Sequence, residues 1–407
     1  MDLRRSAPKG ALRRFKKSHN VDIKRYIMDQ LSHRERVLLA LDHKDTDRVP
    51  MDLCGSTCNM VDALYFKVRD MLGIVGDIPP YRTGRTSSYY DERVLSAFDT
   101  DFRHISIKSA RSHPTVIAPD GSYVDEWGVK LRLYAGEVQC LESPLEDAED
   151  ADEVFAHTQW PDTTDRSRVE GLKERVQYLR KHTDYAVSAK FVTSLGFLEH
   201  GGYLRGFQNF LCDLLADEDM ANAICDKIMQ VKIDLYNMML EEIDGDVDVV
   251  ELSEDFGTQG GLLVSPDLYR KYQKPRFQKI IAAIRERAPK AKIFFHTCGA
   301  VFPLIPDLIE TGIDILNPLQ PLATGMDSAL IKATYGDKLC FHGAIDLQRA
   351  MPGTMEDVRR EVETRVDALY KNGGYILAPA NHLQNDTPPE NVRELFRYAK
   401  EYSAKKH

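Results

Sequence analysis

Short apolar, β-branched runs recur along the chain, and a longer stretch of helical period follows each of them. The runs are Arg48–Cys54, Phe102–Ile107, Tyr185–Val192, Val247–Ser253, Lys292–Cys298, Ile313–Leu319, Lys338–Ile345 and Gly374–Ala380. Strands that alternate with helices pair in parallel through right-handed crossovers, and eight such units close a barrel. The pattern therefore predicts an α/β fold of the (β/α)8 TIM-barrel type. A doubly wound open sheet is the alternative.

Helix start signals stand where this rhythm requires them. Ser265 precedes a proline at the first helical position of a long amphipathic stretch, and Thr354 precedes two acidic residues in the first turn of another. Serine and threonine are preferred caps, and proline is well tolerated at the first position of a helix. We therefore predict that helices begin at these two points.

The alternation is interrupted once, between the second and third predicted strands. Residues 118–134 read as a β-hairpin with Asp120-Gly121 as its turn, and a polar helix follows near Asp165 to His182. We predict that this hairpin and helix are an insertion in a single barrel domain of residues 31–402. Residues 1–30 form a basic N-terminal arm outside it.

The charge of the chain limits its partners. The net charge is −9 and the pI is near 5.8. Nucleic acid and acidic membranes attract clustered positive charge, so we expect neither as a partner. No apolar run approaches the roughly 18 residues of a membrane span. The seven cysteines are scattered without a secretion signal, which favours a cytoplasmic location.

Polar side chains collect where the predicted strands end, which is where active sites of such barrels lie. His296 and Cys298 are two residues apart on one predicted strand, so their side chains lie on the same face of that strand and could coordinate one metal ion. Alternatively, both residues are structural: His296 is buried and hydrogen-bonded in the core, and Cys298 is an unreactive core cysteine. Other candidates at strand ends are Arg103, Glu254, Asp255, Asn317, Gln320, His342, Asn381 and His382.

The remaining candidates have structural alternatives too. Glu254 and Asp255 precede a turn-rich loop and could cap it, and His342 could be a histidine of the barrel wall. Arg103 could bind a substrate carboxylate or form a salt bridge at the barrel mouth. We assign catalytic roles to Glu254, Asp255, His342 and Arg103.

Several stretches resemble one known family. RERVLLALDHKDTDRVPMDL, EDFGTQGGLLVSPDLYRKYQKPRFQKII, FFHTCGAV, FHGAIDLQ and GGYILAPANHLQNDTPPENV are similar to the uroporphyrinogen decarboxylase superfamily. The resemblance runs from about Leu31 to Tyr402. It is strongest to the corrinoid-linked zinc methyltransferases, which carry a His-x-Cys motif where His296 and Cys298 stand. Decarboxylases of the superfamily carry arginines after the first strand, whereas this chain has CGSTCNMVDALY.

The resemblance implies a zinc ion at the barrel mouth, with His296 and Cys298 as ligands and one position open to the methyl-bearing molecule. Relatives that activate thiols have a second cysteine after the last strand, where this chain has Asn381 and His382. We predict His382 as the third ligand. Glu254 or Asp255, or a site without zinc, are the alternatives.

The resemblance implies methyl transfer between a small molecule and a corrinoid (cobalamin) carried by a separate partner protein. Asn317, Gln320 and Asn381 are then candidates for substrate binding. With one thiolate among its ligands the zinc would suit an ether-like donor, such as a methoxylated aromatic (O-demethylation). The alternatives are a metal-free decarboxylase that uses Arg103 and strand-end carboxylates, or a non-catalytic ligand-binding barrel. A homodimer is compatible with either enzyme.

Overall fold

The computed structural model describes residues 31–55, 57–134, 136–191 and 195–406. The predicted basic arm of residues 1–30 lies outside these ranges. The helices are α1 (His33–Leu41), α2 (Asp62–Met71), α3 (Glu92–Ala97), α4 (Ala151–Ala156), α5 (Leu172–His182), α6 (Phe197–Arg205), α7 (Phe207–Ala216), α8 (Glu218–Glu242), α9 (Pro266–Leu268), α10 (Lys274–Arg287), α11 (Ile305–Thr311), α12 (Ser328–Tyr335), α13 (Met355–Leu369) and α14 (Pro389–Ala404).

Seven strands form one parallel sheet that alternates with these helices. In sheet order they are β1 (Phe102–Ile107), β5 (Ala186–Phe191), β6 (Val249–Ser253), β7 (Lys292–His296), β8 (Ile315–Asn317), β9 (Cys340–Ile345) and β10 (Tyr375–Pro379). Neighbouring strands follow chain order, as in a barrel rather than a doubly wound sheet. The predicted parallel α/β architecture is therefore confirmed, with seven regular strands.

The first predicted strand, Arg48–Cys54, is the exception. Its middle makes a single isolated parallel bridge, from Met51 to Leu377 of β10. The Met51 carbonyl also accepts from Asp101 N–H at 2.8 Å, just before β1, so the segment connects the two edges of the sheet. The prediction of a regular eighth strand is wrong because Pro50 lacks a donor and Cys54 has a positive φ of 67°.

The segment between β1 and β5 carries a separate three-stranded antiparallel sheet. It consists of β2 (Ser122–Val124), β3 (Lys130–Tyr134) and β4 (Glu137–Glu142). The turn between β2 and β3 lies at residues 125–129, where Asp125 accepts from the N–H groups of Trp127 and Val129. Asp120-Gly121 instead makes a tight turn before β2, so the predicted position of the hairpin turn is wrong.

The predicted helix starts are confirmed. Ser265 accepts from Leu268 N–H, and Thr354 forms a reciprocal capping box with Asp357. Between α9 and α10 a π-helical stretch, Tyr269–Gln273, precedes Pro275, whose ring cannot donate to the helical ladder. Within the described residues no helix is long and apolar enough to cross a membrane.

The barrel interior is built in layers by the period-two alternation of its strands. The layer at the N-terminal end is apolar and is sealed by Val37 and Leu41 of α1. Its strand members are Phe102, Ala186, Val249, Phe294, Ile315, Cys340 and Ile376. The residues two positions further along are His104, Ser188, Glu251, His296, Asn317, His342 and Ala378. The second layer is therefore polar, and it underlies the mouth of the barrel.

A candidate metal site at the mouth of the barrel

The polar layer forms one continuous hydrogen-bonded chain across the barrel. Glu251 Oε1 contacts His104 Nδ1 at 3.1 Å, and His104 Nε2 contacts Asp52 Oδ1 at 2.9 Å. The other Asp52 oxygen lies 3.0 Å from His342 Nε2. Asn317 then joins the two remaining histidines, since its Nδ2 donates to His342 Nδ1 at 2.8 Å and its Oδ1 lies 2.5 Å from His296 Nδ1.

Within this hydrogen-bonded chain of side chains, each charged group lies beside a group of opposite charge. His104 has a carboxylate on each ring nitrogen. Burial alone would lower the pKa of His104, but Asp52 and Glu251 raise it above its usual value. Burial would likewise raise the pKa of Asp52, but His104 and His342 hold it below its usual range. A buried imidazolium between two carboxylates satisfies the requirement that buried charges be paired.

The hydrogen bonds fix which nitrogen of each remaining histidine carries a proton. Asn317 Nδ2 donates to His342 Nδ1, so His342 donates from Nε2 to Asp52. The carbonyl oxygen of Asn317 accepts from His296 Nδ1. The Nε2 atom of His296 therefore faces the barrel mouth as the atom available for a ligand. Metal-binding histidines are usually oriented in this way by a partner on the second nitrogen.

Two other potential ligands meet His296 Nε2. Cys298 Sγ lies 3.3 Å from it and Asp255 Oδ1 lies 3.4 Å from it, and the ligand atoms of all three residues are within 4.8 Å of one another. The Cys298 N–H donates to Asp255 Oδ1 at 3.0 Å, which holds the loop after β6 against the end of β7. The side chain of Asp255 is 37% exposed, so the cluster opens on its outer side.

The electrostatics of this triad suit a cation. Burial lowers the pKa of His296, but Cys298 and Asp255 outweigh it and raise that pKa well above its usual value. Burial raises the pKa of Asp255, but the hydrogen bond and charge of His296 bring it below its usual value. Without a metal the triad therefore holds a proton on His296 Nε2. Metal binding displaces such protons.

His382, the predicted third ligand, has protein partners instead. Its Nδ1 accepts from Asn59 N–H at 3.1 Å, and its Nε2 lies 3.5 Å from Ser87 Oγ. Burial and the neighbouring Arg82 lower the pKa of His382 to about 3, so the ring is neutral. His382 stands beside the triad rather than in it. Asn381 is the closer neighbour, because its Nδ2 donates to Cys298 Sγ at 3.3 Å.

Glu254 also faces away from the triad. Its Oε2 accepts from Leu198 N–H at 2.9 Å and from Phe197 N–H, at the start of α6. A carboxylate at a helix N-terminus is a stabilising cap. Glu199, in the first turn of α6, interacts with the triad through charge. Burial and the negative charge of Asp255 raise the pKa of Glu199 to about 7.

Arg103 lies near the N-terminal end of β1, on the outer side of the strand. It is the second residue of β1, so alternation turns it outward while His104 turns inward. Its guanidinium packs 3.5 Å from the ring centroid of Tyr185 and donates to Ser96 and Thr100, before the strand. β1 continues to Ile107 before it reaches the mouth, so this position gives no support to the predicted catalytic role of Arg103.

Three of the predicted substrate-binding or catalytic residues form hydrogen bonds within the protein that join neighbouring strands or loops. Asn317 and His342 are both buried within the polar chain. Gln320 Oε1 accepts from Gly299 N–H at 2.7 Å and joins the loops after β7 and β8. The sequence pattern predicts no role for His104 and Glu251, although both stand near strand ends, and it does not single out Asp52. Counting two residues forward from the apolar layer would have found the strand members.

Asp52, Cys58 and His342 form a second cluster of possible ligands. All three are buried, and both carboxylate oxygens of Asp52 are already bonded to histidines. Cys58 Sγ approaches Asp52 Oδ2 only to 3.7 Å. This second cluster is therefore a satisfied part of the polar chain, whereas the triad of Asp255, His296 and Cys298 retains an open side.

Comparison with known proteins identifies the family. The model of the family uroporphyrinogen decarboxylase (URO-D) matches residues 123–402, and the chain belongs to this family. Uroporphyrinogen decarboxylase of Chlorobium phaeovibrioides is 23% identical over 199 residues, 48% of this chain and 52% of that protein. Methylcobamide:CoM methyltransferase MtaA of Methanosarcina barkeri is 24% identical over 202 residues, 49% of this chain and 55% of that protein. The chain thus spans about half the length of these two relatives.

A solved methyltransferase from Methanosarcina mazei has the same fold over almost the whole chain. The two superpose with a TM-score of 0.61 and 17% identity, covering 92% of this chain and 99% of that one. The predicted superfamily is therefore confirmed. The chain is a member of an enzyme family that includes both decarboxylases and methyltransferase relatives.

Proposed function

We propose that this protein is a methyltransferase that moves a methyl group between a small molecule and a corrinoid on a separate protein, with zinc at the barrel mouth. The observation that carries the proposal is the triad of Asp255, His296 and Cys298, with the His296 tautomer set by Asn317. Similarity to MtaA, whose name states methylcobamide as a reactant, supports the corrinoid partner.

The donor set fits zinc. Imidazole nitrogen, thiolate sulfur and carboxylate oxygen are the usual zinc ligands, and three protein ligands with one open position are typical of catalytic sites. His296, Cys298 and Asp255 would hold the ion, and when bound it would act as a Lewis acid towards the sulfur or oxygen that exchanges the methyl group. In this proposal Asp255 replaces His382 as the third ligand.

This change of ligand alters the expected substrate. A thiolate and a carboxylate together carry two formal negative charges, as two thiolates would. The argument for an ether-like donor depended on a neutral third ligand, so it no longer separates methoxylated aromatics from thiols. In the direction that demethylates the corrinoid, a thiolate or phenolate attacks the methyl carbon, the cobalt–carbon bond breaks, and both bonding electrons remain on cobalt as cob(I)alamin.

The residues around the triad would serve that reaction in distinct ways. Asn381 donates to Cys298 Sγ and lowers the electron density on the thiolate. Asn317 keeps Nε2 of His296 aimed at the mouth. Glu199 is a candidate to take the proton that an incoming thiol or phenol must lose, because its buried carboxyl group lies near enough to Asp255 to feel its charge.

The test is anaerobic incubation of the protein with free methylcobalamin and either coenzyme M or phenol as acceptor, followed by visible absorbance. We expect loss of the methylcobalamin bands with at least one acceptor, dependent on added zinc and abolished in Cys298→Ser. Lys279→Gln, an exposed change on α10, is the matched control and should retain full activity. No demethylation by zinc-loaded protein with either acceptor would count against the proposal.

Decarboxylation is the second candidate, and the family match favours it. Arg103, the cation predicted to serve this reaction, is buried near the start of β1, where it donates to Ser96 and packs on Tyr185. Arg82 and Lys190 lie close enough to His382 at the mouth for their charges to lower its pKa. Release of carbon dioxide from uroporphyrinogen by metal-stripped protein, unchanged in Cys298→Ser, would establish this activity in place of methyl transfer.

A further inference from the structure

A cavity of about 410 Å³ lies beside the mouth, at the C-terminal ends of β1 and β5. Its walls come from the loop at residues 81–85, the first turn of the inserted sheet and α8. Aromatic side chains contribute much of the surface, among them Tyr81, Tyr123, Trp127 and Phe191. Such a volume with a partly apolar lining is typical of small-molecule sites.

The lining is cationic although the chain as a whole carries −9. The cations are Arg82, Arg85, Lys108, Arg111, Arg168 and Lys232, whereas Asp125 and Glu126 are the only carboxylates among the lining residues. Glu126 is paired with Arg168. Burial raises the pKa of Asp125 to about 6, so this carboxylate is still mostly ionised at pH 7 and offsets only one of the six cations. The cavity therefore concentrates positive charge.

Two of the cations lack a carboxylate partner. Lys232 is 4% exposed, and its Nζ donates to the Leu195 carbonyl. Burial lowers the pKa of Lys232 to about 8, despite the opposing charges of Glu254 and Glu199. The half-buried side chain of Arg85 has neither a hydrogen bond nor a salt bridge within the parts of the chain that the structure describes, and only its backbone carbonyl accepts from Ser88 Oγ. Lys232 is buried without a directly bonded carboxylate, so an anionic ligand that bonds to its Nζ would reduce the cost of burying the charge.

His200 gives a second and independent sign of a ligand. It is 7% exposed and lines the cavity, with its ring 4.4 Å from that of Trp127. Its Nδ1 atom is buried and has no hydrogen-bond partner among the described residues. Buried polar atoms are satisfied in the large majority of cases, so this Nδ1 atom is available to a ligand in the cavity.

The cavity is connected to the candidate metal site by direct contacts. Arg82 Nε donates to the Ser87 carbonyl at 2.8 Å, and Ser87 Oγ lies 3.5 Å from His382 Nε2. His382 N–H donates to Asn381 Oδ1 at 2.6 Å, and the other end of that amide contacts Cys298. A chain of hydrogen bonds through Ser87, His382 and Asn381 thus links Arg82 in the cavity wall to Cys298 of the triad.

We propose that this cavity binds a small aromatic carboxylate through Arg85, Lys232 and His200, and that the carboxylate is the anionic end of the substrate. The aromatic walls would take the ring, and the guanidinium of Arg85 matches a carboxylate in two parallel hydrogen bonds. The identity of the carboxylate as substrate rests on the proposed methyl transfer, whereas its binding does not.

Calorimetric titration with benzoate and with benzamide tests the site, because the two probes share shape and differ in charge. We expect benzoate to bind about tenfold tighter than benzamide or better, as charge-assisted hydrogen bonds imply. Arg85→Gln and Lys232→Met should each weaken benzoate about tenfold, and Lys279→Gln should stay within about twofold of wild type. Circular dichroism and thermal melting establish that each variant is folded.

Several results would overturn the proposal. They are equal binding of the two probes, no binding of benzoate, or equal losses in Arg85→Gln and Lys279→Gln. Titration of Cys298→Ser separates this site from the metal site: benzoate should bind with unchanged affinity to protein that has lost zinc. Benzoate should also raise the KM for phenol in methyl transfer by wild type, and much less so in Arg85→Gln. Failure of that competition would refute the role of the carboxylate in the substrate.

Discussion

Asn317 connects the candidate ligand His296 to the polar chain, so Asn317→Leu should weaken zinc binding without touching a ligand. The substitution keeps approximate size and removes the acceptor 2.5 Å from His296 Nδ1 and the donor 2.8 Å from His342 Nδ1. His296 then loses the contact that fixes its tautomer and its orientation. We expect zinc affinity to fall about 10- to 100-fold, the usual effect of losing such a partner.

The same change should destabilise the fold, and the structure gives the size of that effect. Asn317 is fully buried, so both histidine nitrogens are left without partners. Each orphaned polar atom costs about 1 to 3 kcal/mol, which gives about 2 to 6 kcal/mol before the gain from burying a leucine. Asn391→Leu is the matched control, because Asn391 is also buried and donates to two carbonyls, Met351 and Gly353, far from the metal site.

Competition with a chromophoric chelator measures zinc affinity, and urea unfolding of metal-free protein measures stability. Both variants should lose stability, but only Asn317→Leu should lose zinc affinity. Equal zinc affinity in Asn317→Leu and wild type would refute the claim that Asn317 sets the His296 tautomer. Equal losses of affinity in both variants would show that the effect comes from destabilisation alone.

Three further predictions concern other parts of the chain. Asp101→Asn should lower the free energy of unfolding by about 2 to 3 kcal/mol at pH 7, because it removes the buried carboxylate that pairs with both Arg36 and Arg48 and leaves them only Asp47 and Asp99. Burial opposes but the arginines lower the Asp101 pKa to about 2, so this stability is lost as pH falls from about 4 to 2, where urea titrations of wild type and variant should converge. Glu199→Gln should stabilise metal-free protein by about 1 to 3 kcal/mol above pH 7 and have little effect below pH 4, because a carboxyl group whose pKa is raised by folding destabilises the folded state only when it is ionised. Thermal melts at both pH values test this. His382→Ala should keep its zinc in elemental analysis, since the ring bonds to Asn59 and Ser87.

The strands and the family could be predicted from sequence because both depend on local patterns. Apolar runs of β-branched residues place seven of the strands, and the motif around His296 and Cys298 places the metal candidates on one face. It was harder to predict which residues of a strand face the barrel interior. Arg103 and His104 are adjacent, and only pairing with β5 fixes which of them faces the interior.

Contacts between distant loops could not be predicted. Asp255 joins the triad because its loop after β6 receives the Cys298 N–H, and no spacing in the sequence encodes that approach. Asp52 enters the polar chain from a segment that Pro50 keeps from being a regular strand. His382 follows the last strand as a ligand would, yet its ring is held by Asn59, more than 300 residues earlier in the chain.

X-ray absorption at the zinc edge tests the central claim most directly, because it counts the sulfur ligands of the bound ion. The arrangement of Asp255, His296 and Cys298 predicts one zinc per chain with a single sulfur at about 2.3 Å and nitrogen or oxygen in the remaining positions. Asp255→Asn should retain that sulfur but bind zinc more weakly, and Cys298→Ser should remove it. Protein that binds no zinc, or a spectrum with two sulfur ligands, would contradict the account.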